Sequence, residues 1–280
     1  LSTFLKDLLE LPFLQNALLA GVLCSMATGV VGTYVVLRRI TYIAAAISHC
    51  ILGGLGAARY FSIVWGWTWL KPVHGAIFTA LASALIIGLV SMRAKEREDT
   101  VISALWAVGM AIGILFIFKT PGYNEDLMSY LFGNILMVSQ QDLYLIGVLD
   151  LFLITLSMVF YKQVLAVCFD EEFARTRGVW VEFYYLLILC LTALTVVLTV
   201  SVVGIIMVIA LISLPVAISA RFFDRVWKIM VCSIVLGMIF TSGGLALSYT
   251  PNLPSGAVTI LLAGLTYILT ILYFSFRRQK

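Results

Sequence analysis

The run FYYLLILCLTALTVVLTVSVVGIIMVIALISLPVAI, from Phe183 to Ile218, holds 36 residues without one charged side chain. As a single helix it would be about 54 Å long at 1.5 Å per residue, against a hydrocarbon core of about 30 Å. That is too long for one crossing and right for two, joined by a tight turn near Ser201 and Gly204. Working outward, further runs long and apolar enough to span lie at Phe13 to Leu37, Tyr42 to Tyr60, Val73 to Met92, Val101 to Phe118, Leu143 to Tyr161, Ile229 to Leu247 and Val258 to Phe276. The sequence therefore predicts an all-α, polytopic membrane helix bundle of nine spans.

The positive charges decide how that long run is counted. With two spans in it, the N-terminus is outside, the C-terminus inside, and 14 of the 18 Lys and Arg residues fall on the inner side, leaving Lys6, Arg59, Lys71 and Lys119 outside. A single span flips everything after it and leaves more positive charge outside than inside, against the positive-inside rule. A re-entrant hairpin returning to the inner face satisfies the charges equally well and makes eight crossings. The chain is 62% hydrophobic and 11% charged, which excludes a soluble enzyme, and its net charge of +4 reports orientation rather than nucleic-acid binding. The five cysteines form no CxxC pair and imply no disulfide framework. No cleavable signal peptide is visible in Leu1 to Glu10, whose Phe4, Leu5, Leu8 and Leu9 share one helical face suited to the outer interface. Residues 1–280 read as one transmembrane domain.

Three connections hold more than a turn, and one of them, Ser248 to Gly256 on the outer side, is a stiff turn of two prolines and a glycine with little chemistry. On the outer side, Lys119 to Gln141 begins with Pro-Gly and then places Leu127, Tyr130, Leu131 and Ile135 at helical spacing, with Glu125 and Asp126 as a solvated acid pair or as an attraction for cations. On the inner side, residues 162–182 read KQVLAVCFDEEFARTRGVWVE. Asp170, Glu171 and Glu172 precede Arg175 and Arg177, the order that suits a helix dipole, and Gly178 stands where a helix ends in the left-handed conformation. A simple turn would need far fewer residues. Spacing alone leaves two readings, a surface helix with Glu–Arg pairs along itself or a docking element for a soluble partner.

Ionisable groups within spans are costly and point to function. His49 sits about 10 Å from the inner edge at helical rise, among small residues (Ala44, Ala45, Ala46, Ser48, Gly53, Gly54, Gly56, Ala57) that permit close helix packing or leave a narrow passage with one imidazole in it. Asp150 lies about 20 Å from that edge, so the two are unlikely partners in one ion site and Asp150 pairs locally or takes a proton. Ser48, Cys50, Met207 and Ser213 are further polar or soft side chains along a path, although Met207 reads first as core. Pro215 frees a carbonyl near Leu211 and is expected to break its helix. His74 reads as a solvated interface residue. The sequence has no GxxxxGK[ST] phosphate loop, HExxH or GxSxG.

Several stretches together resemble the permease subunit of the bacterial metal ABC importers, which take up zinc, manganese and iron. They are Gly29 to His49 (GVVGTYVVLRRITYIAAAISH), Glu98 to Ile114, Asp126 to Leu143 with its LFG, Cys168 to Gly178 (CFDEEFARTRG), Val202 to Arg221 and Leu253 to Gly256, in family order. The resemblance implies that residues 162–182 are a coupling loop, with Asp170, Glu171, Glu172, Phe173, Arg175 and Gly178 docking an ATPase. It implies two permease copies, two cytoplasmic ATP-binding subunits and an extracytoplasmic metal-binding protein, in the bacterial inner membrane. The metal is substrate, nothing is bound permanently, and ATP sits on the partner. The family's metal-ligating pair is an Asp one helical turn before His49. Here that position is Ala45, so His49 would be a transient ligand, and the loss of a hard carboxylate favours zinc over manganese. The alternative is a stand-alone proton-coupled carrier with Asp150 as its acid.

Overall fold

The structure is a computed structural model that describes residues 2–93, 98–121, 133 and 135–278. Within it the chain is all helix: α1 (Ser2–Glu10), α2 (Pro12–Leu37), α3 (Thr41–Val64), α4 (Pro72–Arg93), α5 (Glu98–Lys119), α6 (Gln140–Val159), α7 (Tyr161–Phe169), α8 (Glu171–Thr176), α9 (Val181–Val203), α10 (Ile205–Phe222), α11 (Val226–Tyr249) and α12 (Ser255–Arg278), with a short tight turn at Ile135–Met137. Among the described residues nine of these helices are long and apolar enough to cross a membrane. Glu125, Asp126, Leu127, Tyr130 and Leu131 lie outside the described residues, as do Lys95, Arg97 and Lys280.

The long apolar run divides where glycine alone permits it. Gly204 has φ 80° and ψ 164°, a combination essentially closed to residues with a Cβ, and it ends α9 and starts α10 in one residue. Gly133, from the outer connection, packs on the backbone of Val203 and Gly204. Pro215 does not break α10, contrary to the expectation from sequence. The helix runs through it to Phe222, with the Ser213 and Ser219 hydroxyls bonded back to the Ile209 and Pro215 carbonyls. The loss of one backbone donor is tolerated because neighbouring helices hold the segment.

Lipid is as apolar as leucine, so packing in the bundle comes from close fit rather than from expulsion of water. The tightest contacts are backbone to backbone. A Cβ on Gly53 of α3 would lie 2.9 Å from the Gly109 carbonyl oxygen of α5, and one on Gly56 2.7 Å from that of Gly113. The small face of α3 is thus used for close approach to α5, and to α4 at Gly54 and Gly75. α2 is central, packing on α6, α9, α10 and α11, while α12 lies against α10 and α11. The most apolar stretches of α2, α3 and α9 are 72–78% buried, against 11% for that of α5 and 17% for that of α12.

At the outer end, α1 folds back on the bundle: Phe4 is buried against the Tyr249 ring at 5.6 Å, and the Tyr249 hydroxyl donates to Asp7 Oδ2 at 2.9 Å. Leu9, predicted on the same face, is exposed instead.

Candidate functional site

α3 presents its three polar candidates on three different sides, because successive helical residues turn by about 100°. The Ser48 hydroxyl is fully buried and donates to the Ala44 carbonyl of its own helix, 2.8 Å. The Cys50 thiol reaches α5 and donates to the Leu105 carbonyl, 3.2 Å. His49 is half-buried, with its ring stacked on Trp106 of α5 at 4.5 Å and 12° between planes. Its Nδ1 is buried and has no hydrogen-bond partner. Ala45, one turn earlier, is buried.

Asp150 stands elsewhere. It is 3% exposed on α6, a helix that packs mainly on α2, whereas α3 packs mainly on α5 and α4, and both also touch α9. Neither carboxylate oxygen has a partner, nor does the buried Ser157 hydroxyl two turns on, while the Tyr34 hydroxyl of α2 donates to the Ser157 carbonyl at 3.1 Å. Met207 is core at 3% exposure, and Ser213 is half-buried and bonded within α10. The structure therefore does not gather the intramembrane candidates into one centre. Among the described residues there is no group of three or more His, Cys, Asp or Glu side chains placed to hold a metal. His74 is exposed, its ring nitrogen meeting the Lys71 amide at 3.3 Å.

The inner connection is more compact than its twenty-residue charged stretch suggests. It forms two short helices, the apolar α7, which buries Val164, Val167 and Cys168, and the six-residue α8. Asp170 separates them and caps α8, its Oδ1 accepting from the Phe173 amide at 2.9 Å. Gly178, φ 77°, ends it: the Gly178 amide bonds the Arg175 carbonyl and the Val179 amide the Ala174 carbonyl, both at 3.1 Å, which is the paired-bond C-terminal cap that a left-handed residue makes. Ala174 is sealed against Val167 and Val181.

The charges of α8 pair outward to the bundle rather than along the helix. Glu171 forms an ion pair with Arg38 at the end of α2, and Arg175 one with Glu182 of α9 at 2.8 Å. Arg38 also donates to the Val167 carbonyl at 2.9 Å and lies over the Tyr185 ring at 5.1 Å. Arg38, Glu171, Arg175, Glu182 and Tyr185 line a polar cavity of about 380 Å³ with Arg39. Burial pushes the Cys168 thiol up to about 11, with the Arg38 guanidinium pulling the other way, so it stays protonated at neutral pH. What faces away from the bundle is Glu172 and Phe173, the latter 53% exposed with the Arg177 guanidinium over its ring at 5.2 Å, and the exposed Trp180. Of the six docking residues expected from sequence, two are thus outward contacts, two are tied to the bundle and two are caps.

Sequence reading missed the two residues that organise these regions. Trp106 lies in the uncharged run of α5, where an aromatic carries no signal of what it stacks on. Arg38 was counted only as a positive charge on the inner side, although a guanidinium at the last turn of a buried helix is well placed for carbonyls and carboxylates.

A model of the ABC 3 transport family matches residues 10–274. The chain is 40% identical over 261 residues, 93% of its length and 89% of the other's, to a "probable metal transport system membrane protein" of Chlamydia trachomatis. It is 31% identical over 270 residues, 96% and 94% of the two lengths, to the manganese transport system membrane protein MntC of Listeria monocytogenes. Among solved structures it is similar to a chain of PsaBC from Streptococcus pneumoniae in complex with Fab, with TM-score 0.85, 29% identity, and coverage of 96% of this chain and 94% of that one.

Proposed function

Since the chain belongs to the ABC 3 transport family, as a multi-pass, non-catalytic membrane component, we propose that it is the permease of an ATP-driven importer for a divalent transition-metal ion. Two copies form the passage, a cytoplasmic ATP-binding subunit seats on each α8, and a metal-loaded binding protein delivers the ion outside. ATP-driven switching alternates access to the two sides, and the ion is cargo rather than a resident cofactor.

The observation that carries this reading is α8. It is capped at both ends and tied to the bundle by two ion pairs, so its outward side chains, Glu172 and Phe173, stand on a fixed platform. An exposed aromatic on a rigid short helix is the kind of anchor that a groove in a partner takes. Phe173→Asp is expected to abolish co-purification with the cognate ATPase subunit while the chain remains monodisperse. Undiminished recovery of that subunit would remove the docking role.

His49 is read as the waystation. Its imidazole has a buried, unpartnered Nδ1 beside an aromatic wall, and a neutral imidazole suits several divalent metals, while the carboxylate that would favour manganese is replaced by Ala45. The donor chemistry favours zinc, whereas relatives such as MntC carry manganese in their names. Uptake of radioactive zinc and manganese into vesicles holding the full complex separates the two. His49→Ala is expected to slow uptake of the favoured ion by about tenfold, and rates for both ions unchanged by the substitution would eliminate the waystation.

A further inference from the structure

We propose that Arg38 is the positioning residue through which movement of α8 reaches the core of the bundle. The inference rests on the reading of α8 as the ATPase seat and adds where its displacement goes. Arg38 closes α2, the helix that packs on α6, α9, α10 and α11. Its guanidinium joins three elements of the inner face at once: Glu171 of α8 by an ion pair, the Val167 carbonyl of α7 at 2.9 Å, and the Tyr185 ring of α9 at 5.1 Å. The Tyr185 hydroxyl continues the link to Ser91 Oγ of α4 at 3.2 Å.

The root of this side chain is held as firmly as its tip. The next residue, Arg39, takes φ 61°, a left-handed conformation that is costly for a residue with a Cβ. It is fixed there by the Arg39 amide on the Val36 carbonyl at 3.1 Å and the Ile40 amide on the Val35 carbonyl at 3.0 Å. A planar guanidinium with fixed donors, on a backbone that cannot swivel, passes on a push that a flexible lysine would absorb.

The second tie of α8 is built differently. The two carboxylates are similarly exposed, Glu171 42% and Glu182 44%, but Arg175 is 63% exposed, so water and salt weaken its attraction, whereas the Arg38 side chain is only 18% exposed. α8 is therefore gripped stiffly at its first residue and loosely near its last. The loose end gives way to a push at Phe173, and the stiff one carries it to α2.

The test uses the permease reconstituted with its ATPase subunit and loaded binding protein in liposomes containing a metal-sensitive dye, and reads metal imported per ATP hydrolysed. Arg38→Gln is expected to retain the ATPase subunit and basal hydrolysis while metal per ATP falls by about tenfold, a usual size for coupling between sites, and Glu171→Gln to lower metal per ATP by a similar factor in whatever ATPase subunit it retains. The exchanged pair, Arg38→Glu with Glu171→Arg, is expected to recover several-fold over either single charge reversal, and Arg38→Lys to fall between wild type and Arg38→Gln. An unchanged ratio in Glu171→Gln, the milder surface substitution, overturns the proposal. So does a ratio that falls only in step with lost ATPase subunit, which would make Arg38 part of the seat alone. Failure of the docking reading shows separately, as full ATPase binding by Phe173→Asp, and overturns both.

Discussion

The polar groups within the spans and those at the inner face are handled in opposite ways. Around α8 both caps and two of the charges have partners, Asp170 on an amide, Glu171 on Arg38 and Arg175 on Glu182, while Gln163 Oε1 of α7 is buried without one. Inside the bundle, His49 Nδ1, both oxygens of Asp150 and the Ser157 hydroxyl are buried without a partner. Buried polar groups are normally hydrogen-bonded, and the exceptions call for a reason. The contrast teaches that α8 is tied to the bundle by its polar groups, whereas the spans hold a few buried groups unpaired.

The largest expected effect comes from forcing open the wall behind His49. A Cβ on Gly109 would lie 2.8 Å from Cys50 Cα, so Gly109→Leu drives α5 off α3 and separates Trp106 from His49. The cost should be about 3 kcal/mol or more for an overpacked site, read as a lowered melting temperature in detergent. A normal melt would show that α3 and α5 are not held at this distance.

Next is Asp150→Asn. If its carboxyl has no partner, removing the charge from an apolar site should leave stability unchanged or raise it by about 1 kcal/mol. A clear loss in the same melt would reveal a partner and weaken the contrast. At the inner face, Gly178→Ala should cost about 1 kcal/mol, because alanine resists the left-handed cap, and hydrogen exchange should show the α8 amides opening faster. Smallest of all, Arg175→Ala should change stability by no more than about 0.5 kcal/mol, since its ion pair is largely in water. A larger change by the same melt would mean that α8 is held equally at both ends.

Much of this architecture was legible before any coordinates. Hydropathy marks each span because the bilayer demands a minimum length of apolar helix, and the positive charges orient the set. The split of the run from Phe183 to Ile218 at Gly204 was readable because no other residue type takes that backbone conformation so easily. Asp170 and Gly178 were readable as ends because capping is a local matter. Partners across the bundle were not. Nothing local says that Arg38 meets Glu171, 133 positions later, or that Trp106 covers His49. Nor does local chemistry say that α10 survives Pro215, since that depends on the helices around it. Among the intramembrane candidates the sequence suggested which residues were unusual and not which stood together; His49 stacks on α5, whereas Asp150 lies on α6, which packs mainly on α2.

The seating of α1 bears on how the molecule is made. Phe4 and Asp7 dock on Tyr249, so this early helix cannot find its place until α11 has been synthesised some 240 positions later. At roughly 5–20 residues per second, that leaves α1 waiting on the order of tens of seconds while span after span enters the membrane. Its docking therefore reports that the eighth span has arrived. A protease that cuts α1 in chains stalled before Tyr249, and spares it in longer ones, would time the closing of the bundle.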